Sequence, residues 1–221
     1  MIKPFSKEQL LTIKASLSEE DCDEMAIPSY LHRNPVLRWM AWRRVKKVAE
    51  TADQIRQTLN RPLNVVDYGC GIGVLFSVLT KLAHRTTAID IVPGPARMTV
   101  ATHHYSGIEV ITPDVWAPQK ESLDLIIAAE VLEHIDPVET VLKRFKDALK
   151  PSGYLLVSLP TENRFYRFGR WLAGFSGHYH HQNAASLHRS IQQAGFTMKH
   201  REMIPLPGPL AVYWIVSYTH S

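Results

Sequence analysis

Cysteine is nearly missing from this chain: Cys22 and Cys70 are the only two. A disulfide-stapled scaffold is thereby excluded, and Cys70 lies inside a glycine-rich turn, so the sequence predicts a reducing compartment. Long apolar runs are missing as well. The start, Met1-Ile2-Lys3-Pro4, has no hydrophobic core of the kind a signal peptide needs. The longest apolar stretch near the C-terminus, Leu210 to Val216, is too short to cross a bilayer. The expectation is a soluble, cytoplasmic protein. No repeat and no low-complexity tract interrupts the 221 residues, a length that suits one domain, or one domain with an appendage.

Charge of neither sign dominates, the net value being +4. The cations are nevertheless grouped. Arg33, Arg38, Arg43, Arg44, Lys46 and Lys47 fall in one stretch without an acid, and Arg164, Arg167 and Arg170 form a second group. Either could meet nucleic acid, anionic lipid or an acidic substrate, although a solvated helix face is the expected role for most of these side chains.

The first sixty or so residues read as helical. Ser6-Lys7-Glu8-Gln9 has the form of a capping box before a helix reaching about Leu17. Glu19 to Glu24 reads as an acidic connector. Asn34-Pro35, a cap followed by an N1 proline, opens a second helix to about Thr58. From Leu63 the pattern alternates strand and helix, which implies a parallel sheet. The expected strands are 63–68, 86–90, 108–111, 123–128 and 153–159, with helices near 72–83, 94–103 and 137–149. Asp136-Pro137-Val138-Glu139 reads as cap, N1 proline and N3 acid, and Pro151-Ser152-Gly153 as the stop before the fifth strand. Asn183 to Ala194 is a helix closed by Gly195. Phe196–Ile204 and 210–219 are two further strands, joined through Pro205-Leu206-Pro207-Gly208-Pro209. The fold class is therefore α/β: a Rossmann-like, seven-stranded, mostly parallel sheet with a C-terminal antiparallel hairpin, helices on both faces and a helical N-terminal extension.

The chemistry concentrates where the first strand ends. Asp67-Tyr68-Gly69-Cys70-Gly71-Ile72-Gly73 follows an apolar run and opens another, so it reads as strand, turn, helix. Asp90 stands about twenty residues on, again after an apolar run, where an acid would take ribose hydroxyls. A dinucleotide fingerprint would put its last glycine at position 74, which is Val74 here, and an acid precedes the first glycine by two residues. Both details turn the reading from a nicotinamide cofactor to S-adenosylmethionine (SAM). Gly69, Gly71 and Gly73 would let the cofactor's amino-acid end approach the backbone. Asp67 would organise the loop and attract the ammonium group. Ile91 would lie against the adenine face, Asp114 would accept from the exocyclic amine, and the Val115 N–H would donate to the ring. Each acid alone could be a loop carboxylate or a helix cap. Three acids in order after three strands carry more weight. On this division residues 1–60 form a helical extension or lid and 61–221 a SAM-binding domain.

With those residues quoted, the chain resembles the class I SAM-dependent methyltransferases. The likeness covers about residues 63–160, through Val65 to Gly73, Ala88-Ile89-Asp90, Pro113-Asp114-Val115, Glu130-Val131-Leu132-Glu133-His134-Ile135 and the turn Leu149 to Tyr154. The run from Glu130 to Ile135 points to the small-molecule members. Leu31-His32-Arg33-Asn34-Pro35-Val36-Leu37-Arg38 is similar to a signature of the ubiquinone-pathway O-methyltransferases, with one extra residue after Pro35 and without the upstream tryptophans. That resemblance implies that Arg38 meets the SAM carboxylate, that Glu130 borders the cofactor, and that Glu130, Glu133 and His134 match residues associated with a divalent metal. His178 resembles a histidine that faces the acceptor pocket. The residues themselves predict no metal site: the run His178-Tyr179-His180-His181 has irregular spacing and no cysteine nearby.

The expected reaction is methyl transfer to a small-molecule acceptor at a hydroxyl, of a quinone-like or other apolar aromatic compound. Base candidates are His134, Glu130 and the cluster beginning at His178. Glu130 and His134, four apart, would share a face of a helical turn. Across 164–175, Phe165, Phe168, Trp171, Leu172 and Phe175 share one arc beside three arginines, which reads as a lid on the acceptor and, in the alternative, as a peripheral membrane contact. No nucleic-acid partner is expected, because Ala128-Ala129-Glu130 stands where an exocyclic-amine methyltransferase carries its Asn/Asp-Pro-Pro-aromatic motif. The competing readings are a nicotinamide-dependent oxidoreductase and a noncatalytic SAM-fold subunit.

Overall fold

The computed structural model describes residues 5–161 and 183–220. The segment 164–175 and His178 lie outside the described residues. The chain forms two compact units, Met1–Ala117 and Pro118–Ser221.

The first unit opens with helices. α1 (Lys7–Ala15) starts on the expected capping box, Ser6 and Gln9 exchanging side-chain bonds to each other's backbone N–H. α2 (Glu19–Glu24) occupies what reads in sequence as a connector. Its composition has almost no apolar period, so the helix is held by its start: Ser18 Oγ accepts the Asp21 N–H at 3.1 Å and donates to Asp21 Oδ2 at 2.6 Å. A short α3 (Ile27–Leu31) follows. α4 (Pro35–Leu59) begins where Asn34 Oδ1 accepts the Val36 N–H at 2.9 Å, and ends at Asn60 in the left-handed conformation. Its buried face is Ala41, Val45, Val48, Ala49, Ala52 and Ile55. Arg44 departs from the expected solvated face: it is buried, and donates to the Tyr30 hydroxyl at 3.2 Å.

β1 (Leu63–Tyr68), α5 (Phe76–Leu82), β2 (Ala83–Ile89), α6 (Gly94–His103) and β3 (Ile108–Ile111) complete this unit. The strands are parallel, and the register sets Tyr68 beside Ile89 and Ile89 beside Ile111. Three strand ends therefore reach one edge, with Asp67 inside the end of β1 and Asp90 and Asp114 in the loops after β2 and β3. α5 begins at Phe76 rather than near Ile72, because the intervening residues are spent in the glycine turn.

In the second unit β4 (Leu123–Ala129) runs parallel to β5 (Leu149–Pro160). Leu123 pairs with Leu149 but Leu125 with Tyr154, so the stop read at Pro151-Ser152-Gly153 is a bulge inside β5, and not its start. Lys150, in that bulge, bonds the buried Asp124 at 2.9 Å. α7 (Val138–Ala148) has Pro137 as its N-cap residue with no side-chain cap, so Asp136 does not serve as the expected cap. α8 (Ala184–Gln193) starts on Asn183, which accepts from two backbone amides. β6 (Phe196–Ile204) and β7 (Tyr213–His220) form the antiparallel hairpin, the second strand starting later than expected because Gly208–Leu210 is a 3-10 turn. The seven strands follow the order β3-β2-β1-β4-β5-β7-β6, with β7 antiparallel to both neighbours. This is the mostly parallel, Rossmann-like sheet read from the sequence. No described helix is long and apolar enough to cross a membrane.

Candidate cofactor site

The turn after β1 is shaped by conformations that only glycine takes without strain. Gly69, Gly71 and Gly73 have φ of 73°, 53° and 81°. At Gly73 a Cβ would run into the ring of Phe76, which is fully buried, so that glycine is also a matter of packing. The turn is tied down from below. The Gly69 and Cys70 amides both donate to the Ile89 carbonyl, at 2.8 and 3.0 Å, and Thr99 Oγ1 donates to the Ile72 carbonyl at 2.7 Å.

Asp90 reaches this turn from the next strand. Its Oδ2 accepts the Gly71 N–H at 2.8 Å, across 19 residues of sequence, and its Oδ1 accepts the Val92 N–H at 3.0 Å. The acid is thus held at the lip of the glycine turn, with lone pairs remaining on each oxygen. Burial raises its pKa, and backbone bonds from Val92, Gly71 and Ile91 oppose that rise. Asp67, one strand row below the turn, is 2% exposed. Burial, and then the nearby Asp90 charge, push its pKa up to about 7. Burial likewise pushes the Cys70 thiol up, which keeps it protonated and a poor nucleophile.

Asp114 is exposed, and its hydrogen bond with Thr112, ahead of smaller backbone contributions, holds its carboxyl below the usual range. Ile91 and Val115, the two aliphatic residues expected at the adenine, are 71% and 61% exposed. Arg38 is exposed, its Nη1 donating to the His32 carbonyl at 2.8 Å. The arrangement suits a compact ligand with positive charge: a cradle without Cβ atoms, a buried carboxylate opposed by its surroundings, and apolar side chains open to a flat partner.

The second unit treats its candidates differently. Glu130 follows β4 with φ of 56°, its N–H donating to the Ser158 carbonyl at 3.1 Å. The 3-10 turn Leu132–His134 comes next, and it buries Glu133 at 1% exposure while His134 is exposed. Glu130 and His134 therefore do not share the helical face that their spacing suggests. Among the described residues no group of three or more His, Cys, Asp or Glu side chains is gathered to hold a metal. The divalent ion associated with Glu130, Glu133 and His134 has no assembled donor set there, and no step is drawn through it.

Two residues near the cradle escape the sequence reading. Met25 Cγ lies 3.9 Å from where a side chain on Gly71 would begin, and Asp21 is close enough for its charge to raise the Asp90 pKa. The available signal was Ser18-Glu19-Glu20-Asp21, a capping pattern that announces a helix where an acidic connector was read.

The chain is 32% identical over 105 residues to a ubiquinone biosynthesis O-methyltransferase from Xanthomonas euvesicatoria, a match spanning 45% of this chain and 43% of that protein. The chain thus matches less than half the length of this relative. Among solved structures, magnesium protoporphyrin IX methyltransferase from Synechocystis PCC 6803, with bound SAH, superposes with a TM-score of 0.68 at 17% identity, covering 96% of this chain and 99% of that one. The N-methyltransferase NodS from Bradyrhizobium japonicum WM9, in complex with SAH, gives 0.64 at 18%, covering 96% and 98%. These likenesses show the fold alone. A family model described as a methyltransferase domain matches residues 38–201, and the chain belongs to that family.

Proposed function

We propose that this chain transfers a methyl group from SAM to the hydroxyl of a small, apolar, quinone-like or otherwise aromatic acceptor. The observation that carries the reading is the bond from Gly71 N–H to Asp90 Oδ2 at 2.8 Å, which joins the ribose acid to the glycine cradle. Bound SAM supplies a methyl carbon on a cationic sulfur, open to in-line attack.

The chain's own residues would do the rest. Asp90 would accept the ribose hydroxyls on the lone pairs left by Gly71 and Val92. The backbone at Gly69, Gly71 and Gly73 would line the amino-acid end, with Asp67 opposite its ammonium and Arg38 at its carboxylate. Ile91 and Val115 would cover the adenine, while Asp114 and the Val115 N–H would read its edge. A dinucleotide is disfavoured because Val74 stands where its last glycine would be and its phosphates would face the buried Asp67. For the acceptor, the proton would pass from the hydroxyl to an imidazole nitrogen of His134, to a Glu130 oxygen or to His178. Positioning is worth about 7–11 kcal/mol in favourable cases, and a base adds about 10²–10⁴-fold. Residues 1–60 are proposed as the lid on this site. The likeness to a ubiquinone biosynthesis enzyme supports the choice of an aromatic hydroxyl as acceptor.

Calorimetric titration with SAM tests the reading. Saturable binding is expected, with Asp90→Ala weakening it at least about tenfold, or about 1.4 kcal/mol. No heat and no thermal shift with SAM would sink it. Transfer of a labelled methyl to a panel of phenols and prenylated quinols, against amines of similar size, tests the acceptor atom.

A further inference from the structure

α2 presents a face to the cofactor cradle. Asp21 and Met25 are one helical turn apart, the Met25 N–H donating to the Asp21 carbonyl at 3.0 Å, so both side chains leave the same side. Met25 Cγ sits 3.9 Å from the side-chain position of Gly71, the residue whose amide holds Asp90. Asp21 acts electrostatically on Asp90 itself. The carboxylate of Asp21 is also oriented, since Ser18 Oγ donates to its Oδ2 at 2.6 Å and leaves Oδ1 for another partner. Cys22 anchors the other side of the helix, buried, with its Sγ directed to the Lys14 carbonyl at 3.7 Å.

Three carboxylates thus surround one cradle: Asp67 from β1, Asp90 after β2 and Asp21 from α2. Among the described residues no lysine or arginine forms an ion pair with any of them. Mutual repulsion of this kind is relieved by a cation, and a helix that brings a third acid to the mouth adds to the attraction for one. We infer that Asp21 of α2 and Met25, the residue just past its end, form a further wall of the cofactor site, in which Asp21 selects for positive charge on the ligand and Met25 covers the glycine turn. The inference rests on the SAM reading above and assigns charge selection to a part of the chain outside the glycine-turn motif.

Three ligands separate its consequences: SAM, with net charge +1; S-adenosylhomocysteine, which lacks the sulfonium charge; and 5′-methylthioadenosine, which lacks the amino-acid end. Asp21→Asn keeps the acceptor for the Ser18 hydroxyl and removes the charge. Titration calorimetry should show SAM weakened about tenfold, S-adenosylhomocysteine about threefold and 5′-methylthioadenosine less than about twofold, the losses following the cationic groups each ligand carries: sulfonium and ammonium, ammonium alone, and none. Met25→Ala should raise the dissociation rate of all three by about threefold in stopped flow, because it removes cover without changing charge. Equal losses for all three ligands in Asp21→Asn would mark a structural effect and overturn the inference, as would no loss at all. Wild-type protein that binds none of the three overturns the SAM reading itself. Wild-type binding with an indifferent Asp21→Asn variant leaves that reading standing and removes this wall alone.

Discussion

Residues 63–117 and the described residues of 118–220 are both built from strands and helices, yet they hold their candidate residues by different means. In the first stretch Asp67 is the penultimate residue of β1, Asp90 follows β2 and Asp114 follows β3, and the parallel register brings those three ends to one edge. The glycine turn then ties directly to one of the acids. In the second stretch Glu130 also follows a strand, but it sits in a left-handed kink before a 3-10 turn that separates a buried Glu133 from an exposed His134. Strand-end chemistry is local, fixed by a turn and a register.

The comparison breaks hardest at Gly73. Alanine there would have to adopt φ of 81° and place its Cβ against the buried ring of Phe76. A left-handed residue costs about 1–2 kcal/mol and forced overpacking about 1–3, so Gly73→Ala should lose about 2–5 kcal/mol in urea unfolding. SAM binding should fall with it. A variant as stable as the wild type would mean that the turn is not the rigid element claimed for the first stretch.

The buried acid gives a pH signature to the same region. Asp67 has a folded-state pKa of about 7, above its ordinary 3.8. The folded chain therefore keeps a proton that the unfolded chain releases between those values. Stability from this source is fully present below pH 3.8 and is lost as pH rises to about 7. Ligand-free protein should lose roughly 2–3 kcal/mol through Asp67 between pH 5 and pH 8, taken as the difference between wild type and Asp67→Asn. A cationic ligand reverses the sign, since it favours the ionised carboxylate. SAM affinity should then rise over the same interval, with proton release detectable in buffers of different ionisation enthalpy. Identical pH profiles for wild type and Asp67→Asn would remove the electrostatic argument for a cation.

Sequence legibility follows the same division. β1, β3 and β6 fall on the expected residues, as does α6; proline or glycine stands directly at both ends of β1 and of β6. The mostly parallel, seven-stranded sheet with its antiparallel hairpin was legible from the alternation and from the proline-rich link, but the order of its strands was not. α2 was not, since it owes its existence to a cap and to packing rather than to an apolar period. Asp136 misled because Pro137 itself takes the capping position. The β5 bulge misled because a proline, a serine and a glycine look like an end when they are a kink within a strand. In the site, the glycines and Asp90 could be read because one short turn carries them. The α2 wall could not, because nothing in its own six residues points at Gly71.

The smallest effect is expected at a second glycine that combines a left-handed backbone with an occupied side-chain position. Gly195 has φ of 90°, and a Cβ there would touch the Lys146 ammonium. It shares with Gly73 both the left-handed backbone and an occupied side-chain position. The neighbour differs: a lysine end swings into solvent at little cost, whereas the Phe76 ring is locked among buried side chains. Gly195→Ala should therefore show the backbone cost alone, about 1–2 kcal/mol in the same urea titration, with SAM affinity unchanged. If Gly195→Ala instead matched Gly73→Ala in lost stability, backbone conformation would account for both, and the packing of Phe76 against the turn would no longer distinguish the cofactor cradle from an ordinary helix stop.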